Sequence, residues 1–226
     1  MLFDAASRSL TQIFSAPFRN VLWKSLGLTI ALFFLLWIVL ELVVSTFLVP
    51  ILGPWPWVTT AVLFALGAGL IVSMGFLIAP VTSVFAGVFL DEIAERVEAR
   101  HYAHDSPGKE LPLGQSIGIA IRFFGLVLLG NFLALITVVF LGFGVIVFFL
   151  VNGYLLGREY FQFAALRHVS LQQAEEIRLA HSGTIFAGGL LIALVVSIPV
   201  INLLTPLFAA ALMTHLYKGL ALKLQS

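Results

Sequence analysis

Residues 149–168 read FLVNGYLLGREYFQFAALRH. They leave a long uncharged run, set Arg158 beside Glu159, and end in aromatics, Arg167 and His168. Two readings fit. In one, Arg158 and Glu159 are a buried pair lining an ion path. In the other they mark the point where an apolar helix meets water, with Tyr160 and Phe161 as aromatics of the membrane interface. Where the other charges lie bears on this choice and also decides the fold.

The chain has 226 residues, of which 61% are hydrophobic and 10% charged, and its mean hydropathy is +1.09. A soluble domain carries about a quarter charged residues, so this composition is that of an integral membrane protein. The formal net charge of +1 gives no support for nucleic-acid binding. Cysteine is absent, which excludes a disulfide framework, a thiolate metal site and a cysteine nucleophile. The opening MLFDAASRSLTQIFSAPFRN lacks the basic start, apolar run and cleavage site of a signal peptide, so insertion through the protein's own spans is expected.

No Asp, Glu, Lys or Arg occurs from Leu42 to Leu90, from Phe123 to Gly157, or from Ser182 to Tyr217. Helix breakers sit near the middle of each run: PILGPWPW at 50–57, GFG at 142–144 and SIPVINLLTP at 197–206. The pattern predicts three apolar hairpins with uncharged tips. All twelve Lys and Arg residues fall between the hairpins or at the termini. By the positive-inside bias, both termini and both long connections are expected on the cytoplasmic side.

Length separates the hairpins. Residues 25–49 and 58–80 give helices of roughly 35 Å, enough for a hydrocarbon core of about 30 Å. The second hairpin offers arms of roughly 27 and 21 Å, and the third about 22 Å per arm. Such arms suit hairpins that enter from the cytoplasm and turn back within the membrane. Lipid does not tolerate unpaired backbone at that depth, so the tips require cover from a homo-oligomer, dimer or higher, or from an aqueous cavity.

The expected fold is therefore an all-α integral membrane protein: two long transmembrane helices, two partly penetrating (re-entrant) hairpins, and amphipathic helices at the cytoplasmic interface. It forms one membrane domain over 1–226, with an interfacial helix at 1–16, long helices at 21–49 and 58–102, a second hairpin at 113–168, a cytoplasmic helix at 169–182 and a third hairpin at 183–219. In the interfacial helix, Phe3, Ala6, Leu10, Ile13 and Phe14 share one face, and the helix ends before Pro17. Glu92 and Arg96 are spaced for an i,i+4 pair. Ser170 and Gln173 form a capping box, with Gly183 as the stop of the helix they open.

Catalytic and metal chemistry find little support. GxG at 142–144 lies in an apolar run and reads as a turn. His101 and His104 sit three apart beside Asp105 without a further ligand, which fits a solvated helix end better than a metal site. His181 and Ser182 are neighbours and not a triad. Glu41, the one carboxylate inside a span, is read as a contact near the outer surface, against a proton-coupling or ion-path role. No cofactor is expected.

Three blocks resemble the CysZ-type sulfate permease family and its etoposide-induced-protein-like relatives: IAP at 78–80 followed by FLDEIAERVE, the stretch 149–168, and SIPVINLLTPLFAAALMTHLY at 197–217. The resemblance implies two long helices, two partly penetrating hairpins, and sulfate uptake for cysteine biosynthesis. It also implies an anion site where relatives carry Gly-(Leu/Ile)-Arg-Arg at the start of the first span. The matching stretch here is Ala16-Pro17-Phe18-Arg19-Asn20, in which Arg19 matches and Asn20 replaces the second arginine. Sulfate accepts many hydrogen bonds, so free N–H groups at a helix start plus a guanidinium suit it.

The substrate-binding residues are accordingly Phe18, Arg19 and Asn20, and the polar residues of an ion path are Glu92, Arg96, Asn152, Arg158, Glu159 and Asn202. Against this stands the reading that Arg19 and Lys24 only mark the cytoplasmic side. The function expected is passive or weakly coupled uptake of sulfate or a related oxyanion, by a non-enzyme whose partners are the anion, the lipid bilayer and its own copies. The alternative is a non-transporting membrane scaffold.

Overall fold

The computed structural model describes residues 1–110, 144–198 and 201–224, with positions 112, 114, 118, 121 and 125 between them. The described residues are helical and turn segments without a strand. Most of the GFG tip, Arg122 and the first arm of the second hairpin lie outside them, as do Pro199 and Val200 of the third tip.

Helix α1 (Leu2–Ile13) packs on the last helix of the chain, burying Ala5, Ser9, Gln12 and Ile13. Its Ser9 hydroxyl is satisfied by donating to the Ala5 carbonyl at 2.7 Å. Phe3 and Phe14 stay exposed, at 87% and 67%, as suits a helix with one side free for a bilayer. Ile13 leaves the apolar face expected from the sequence and joins the core.

Helix α2 (Ala16–Val43) starts from an extended Ser15 with Pro17 in its first turn, a position where a missing N–H costs nothing. The helical path runs on through a π-helical segment, Val44–Leu48, into α3 (Val49–Leu52). Pro50 explains the widening: its ring excludes the carbonyl four residues back, and a π-turn absorbs the misfit without ending the helix. After the turn at 53–55 the chain returns as α4 (Pro56–Val88). The two helices meet through a hydroxyl contact, Thr29 to Thr82 at 2.9 Å, both fully buried. Elsewhere Phe34, Trp37, Phe64 and Ile71 point outward, as apolar residues do where lipid is the solvent.

Phe89 breaks the path before α5 (Leu90–His101). Lys24 of α2 reaches Glu92 of α5 at 2.9 Å. This corrects the expected Glu92–Arg96 pair: a cross-helix ammonium meets the carboxylate, and Arg96 stays out of ion pairs among the described residues.

Helix α6 (Gly144–Leu166) is 23 residues long, or about 35 Å. The estimate of roughly 21 Å for this arm stopped at the first charge. The helix carries Arg158 and Glu159 within it and continues to Leu166. It joins Ala16–Leu52 and Pro56–Met74 as helices long and apolar enough to cross a membrane. Helix α7 (Leu171–Ala180) opens with the expected Ser170/Gln173 capping box. It ends at His181 and not at Gly183, which lies in the first turn of α8 (Ser182–Val196) after a 91° bend.

A 3₁₀ turn, Ile201–Leu204, leads into α9 (Thr205–Leu224). Helix α9 is the hub. Leu207, Ala211, Met213 and Leu216 are fully buried, and it packs on α1, α5, α6 and α8. Helices α6 and α8 approach at Gly153, Gly157 and Gly189, where backbones touch because no side chain intervenes.

Candidate anion-binding site

The start of α2 builds the site. Ser15 is its N-cap but makes no side-chain hydrogen bond to the helix. The N–H of Ser15 goes to the Gln12 carbonyl at 2.8 Å, and that of Arg19 to the Ser15 carbonyl at 3.0 Å. The first-turn donors at Ala16 and Phe18 have no intrahelical acceptor, and Pro17 has no N–H to offer. The positive end of the helix dipole is therefore uncapped.

Facing it is α5. Arg96 and Arg100 are one turn apart on the same side, and with Gln12, Ser15, Pro17 and Phe18 they line a cleft of about 270 Å³. Neither arginine enters an ion pair among the described residues. Next to Arg100, burial, then the charges of Arg8 and Arg100, push the His101 imidazole below its ordinary pKa. Gln12 is 4% exposed and its amide nitrogen is buried with no partner among the described residues. Two arginines, the residues of a helix start and Gln12 thus line one space, a set rich in donors of the kind that suits an anion.

A family model described as "Sulfate transporter CysZ/Etoposide-induced protein 2.4" matches residues 5–206, from α1 to the start of α9. The chain belongs to this family. No curated protein sequence matches it. The CysZ family comprises transporters, and with three helices of spanning length among the described residues this member is a membrane protein related to sulfate transport.

Of the anion-binding residues expected from the CysZ resemblance, Phe18 lines the cleft, whereas Arg19 and Asn20 are exposed and do not. Of the ion-path residues, Arg96 lines the cleft and Glu92 is tied to Lys24. Asn152 and Glu159 are buried in α6, seven residues apart on one face. The Asn152 amide donates to the Phe148 carbonyl at 2.9 Å, while its own oxygen and one Glu159 oxygen find no partner among the described residues. Arg158 forms no ion pair with Glu159 in the described structure. It lines a separate cleft with Tyr154, Arg178 and Ser182. Asn202 accepts from the Thr205 hydroxyl at 3.2 Å, far along the chain from the cleft.

Sequence reasoning passed over Arg100, Gln12 and the cluster around Arg167. Arg167 is 2% exposed and is clasped by Asp91 and by Glu98 at 3.4 Å. Glu98 also receives the Gly108 N–H at 3.0 Å and lies 2.9 Å from His168. Burial opposes ionisation of Glu98, but the hydrogen bonds from His168, Gly108 and Arg167 outweigh it and hold the carboxyl at about 2. The sequence did carry one signal: Arg167 and His168 directly follow an apolar helix, where a cation otherwise reads as a topology marker.

Proposed function

We propose that the protein conducts sulfate, or a closely related oxyanion, across a bacterial inner membrane into the cytoplasm to feed cysteine biosynthesis. The anion is held at the start of α2 between Phe18 and the arginines of α5. The observation that carries this reading is the convergence, in one cleft, of an uncapped 28-residue helix start with two arginines that enter no ion pair among the described residues. The buried polar face of α6, with Asn152 and Glu159, supplies a polar track into the bundle. Flux is passive or weakly coupled, since no nucleotide-binding motif occurs in the sequence.

Arg96→Ala and Arg100→Ala should each remove one charge-assisted contact, worth about 1.5–3 kcal/mol, and weaken sulfate binding roughly ten- to a hundred-fold. Sulfate flux into proteoliposomes should fall with them. Arg19→Ala should have the smaller effect, because Arg19 does not line the cleft and its N–H is already used. Calorimetry on detergent-purified protein gives the affinities. A large loss in Arg19→Ala with none in Arg96→Ala would move the anion to the other side of the helix start. No flux in the parent protein would favour a scaffold.

The hairpin of α8 and α9 penetrates only part of the membrane. Its first arm has 15 residues, about 22 Å against a core of about 30 Å. A cysteine at Asn202 should therefore resist an impermeant thiol reagent from the periplasmic side, while one at Leu52 should label. A dimer or larger assembly covers that tip, so the purified protein should not run as a monomer in mild detergent. Periplasmic labelling at 202 would turn the hairpin into a pair of full spans.

A further inference from the structure

Helix α7 carries Glu175, Glu176 and Arg178, whereas α8, bent 91° from it, holds no charge from Ser182 to Val196. A helix so charged stays out of lipid and one so apolar enters it, so their junction at His181 marks the membrane surface. Leu171 and Leu179 are both exposed and lie two turns apart on α7, as suits a helix resting in that plane. Helix α6 crosses the same level. Its backbone at Gly157 touches that of α8 at Ile185, so Arg158 stands beside the first turn of α8.

A second cationic cleft, of about 250 Å³, opens at this junction. Arg158 and Arg178 line it together, joined by Tyr154 and by Ser182 and Gly183 of α8. Arg178 is held by Glu175 at 3.0 Å, and Arg158 enters no ion pair among the described residues. Two guanidinium groups are thus offset by one carboxylate, and no acidic residue lines the cleft itself among the described residues. No side chain caps the start of α8, which adds to the positive side. One negative charge set between the arginines balances the cleft, and a phosphate oxygen pair suits their planar forks.

The wall above the cleft decides between a lipid phosphate and a free anion. Ile146, Leu150 and Tyr154 are exposed and follow one another at four-residue spacing, so with Arg158 they form one ridge of α6. This ridge runs about 18 Å from aliphatic to aromatic to cationic. A phospholipid has the same order, with its chains in the hydrocarbon and its phosphate at the surface, and basic pockets between helices at that level take anionic headgroups. An inorganic anion has nothing to lay along the ridge.

We propose that the cleft between α6, α7 and the start of α8 binds the phosphate group of an anionic phospholipid, with an acyl chain along Ile146, Leu150 and Tyr154. This site is separate from the cleft at the start of α2 and stands whether or not that cleft binds sulfate.

The test is native mass spectrometry of the full-length, delipidated protein in mild detergent, titrated with phosphatidylglycerol or phosphatidylcholine. Phosphatidylglycerol should bind the more tightly, because choline returns a positive charge to a cationic cleft. Arg158→Gln should weaken it roughly ten-fold, and Arg158→Lys should recover part of the loss. Gly183→Asp provides a variant expected to fold, since a Cβ there meets nothing within 4 Å and an acid favours a helix start. It should nevertheless weaken phosphatidylglycerol by repelling the phosphate, and Gly183→Asn should do so less. Leu150→Gln should weaken the lipid through its chain and leave the arginines in place. Undiminished affinity in both Arg158→Gln and Gly183→Asp, or equal binding of the two lipids, would overturn the proposal. So would displacement of phosphatidylglycerol by an equal concentration of inorganic phosphate or sulfate, which would make the cleft a site for a free oxyanion.

Discussion

Replacing Arg167 with methionine is expected to lower the stability of the folded protein by about 3–5 kcal/mol, the usual cost of removing one partner from a buried charge cluster. The guanidinium is almost wholly enclosed and is the shared cation of Asp91 and Glu98. Without it, the buried Glu98 carboxylate and the partly exposed Asp91 carboxylate, both on α5, lose the cation between them. Methionine fills most of the volume, so the loss measures charge and not a cavity. Arg167→Lys should recover only part, because an ammonium cannot serve both carboxylates with a planar fork. Adding Glu98→Gln to Arg167→Met should return some stability by removing the stranded charge. Acid should act in the same sense. The Glu98 carboxyl is depressed from its ordinary value of 4.5 to about 2, so its contribution is present above pH 4.5 and is lost as pH falls toward 2. In Arg167→Met that loss should begin at higher pH. Thermal unfolding in detergent across this range reads both effects, and an unchanged midpoint in Arg167→Met at neutral pH would refute the cluster's role.

That cluster shows where sequence reading reached its limit. The uncharged runs gave the spans of α2 and α4, because a charge inside lipid is costly and its absence over some 50 residues has few other causes. The Ser170/Gln173 cap was equally legible, since both partners lie within one turn. Ends of helices were less so. A charge marks where lipid stops, but α6 carries Arg158 and Glu159 onward for another two turns because the bundle, not lipid, surrounds it there. Partners across helices were not legible at all. Glu92 has an arginine at helical spacing and binds Lys24 of another helix instead. Arg19 matched the anion motif by position, yet the direction of α2 turns Phe18 and not Arg19 toward α5. Arg96 and Arg100 meet that helix start only because of tertiary packing, and Gln12 Oε1 lies 3.3 Å from Nε2 of His215, 203 residues away.

The packing that sets these relations is concentrated at a glycine contact, and Gly189→Ala should break it. A Cβ there would stand 1.8 Å from the Gly153 carbonyl oxygen and 2.7 Å from the Gly157 nitrogen, both backbone atoms that cannot rotate aside. Gly157 is equally confined, its own Cβ falling 2.7 Å from the Ile185 carbonyl oxygen. Two effects compete. Alanine favours the helix by about 1 kcal/mol over glycine, while overpacking a tight contact costs roughly 1–3 kcal/mol and sometimes more. A distance so far below contact with backbone on the other side puts the cost at the top of that range, so the net effect should be a loss of about 2 kcal/mol. Gly183→Ala provides the control on the same helix. Nothing lies within 4 Å of a Cβ there, so only the helical gain remains and stability should hold or rise. The consequence reaches the anion cleft. Helix α6 runs into Arg167, Arg167 clamps α5, and α5 carries Arg96 and Arg100, so forcing α6 from α8 should shift both arginines relative to α2. Gly189→Ala should therefore weaken sulfate binding without touching the cleft, and Gly183→Ala should leave it unchanged. Equal unfolding midpoints for the two variants would show that the helices can part at no cost, and would remove this contact as the element that fixes the site.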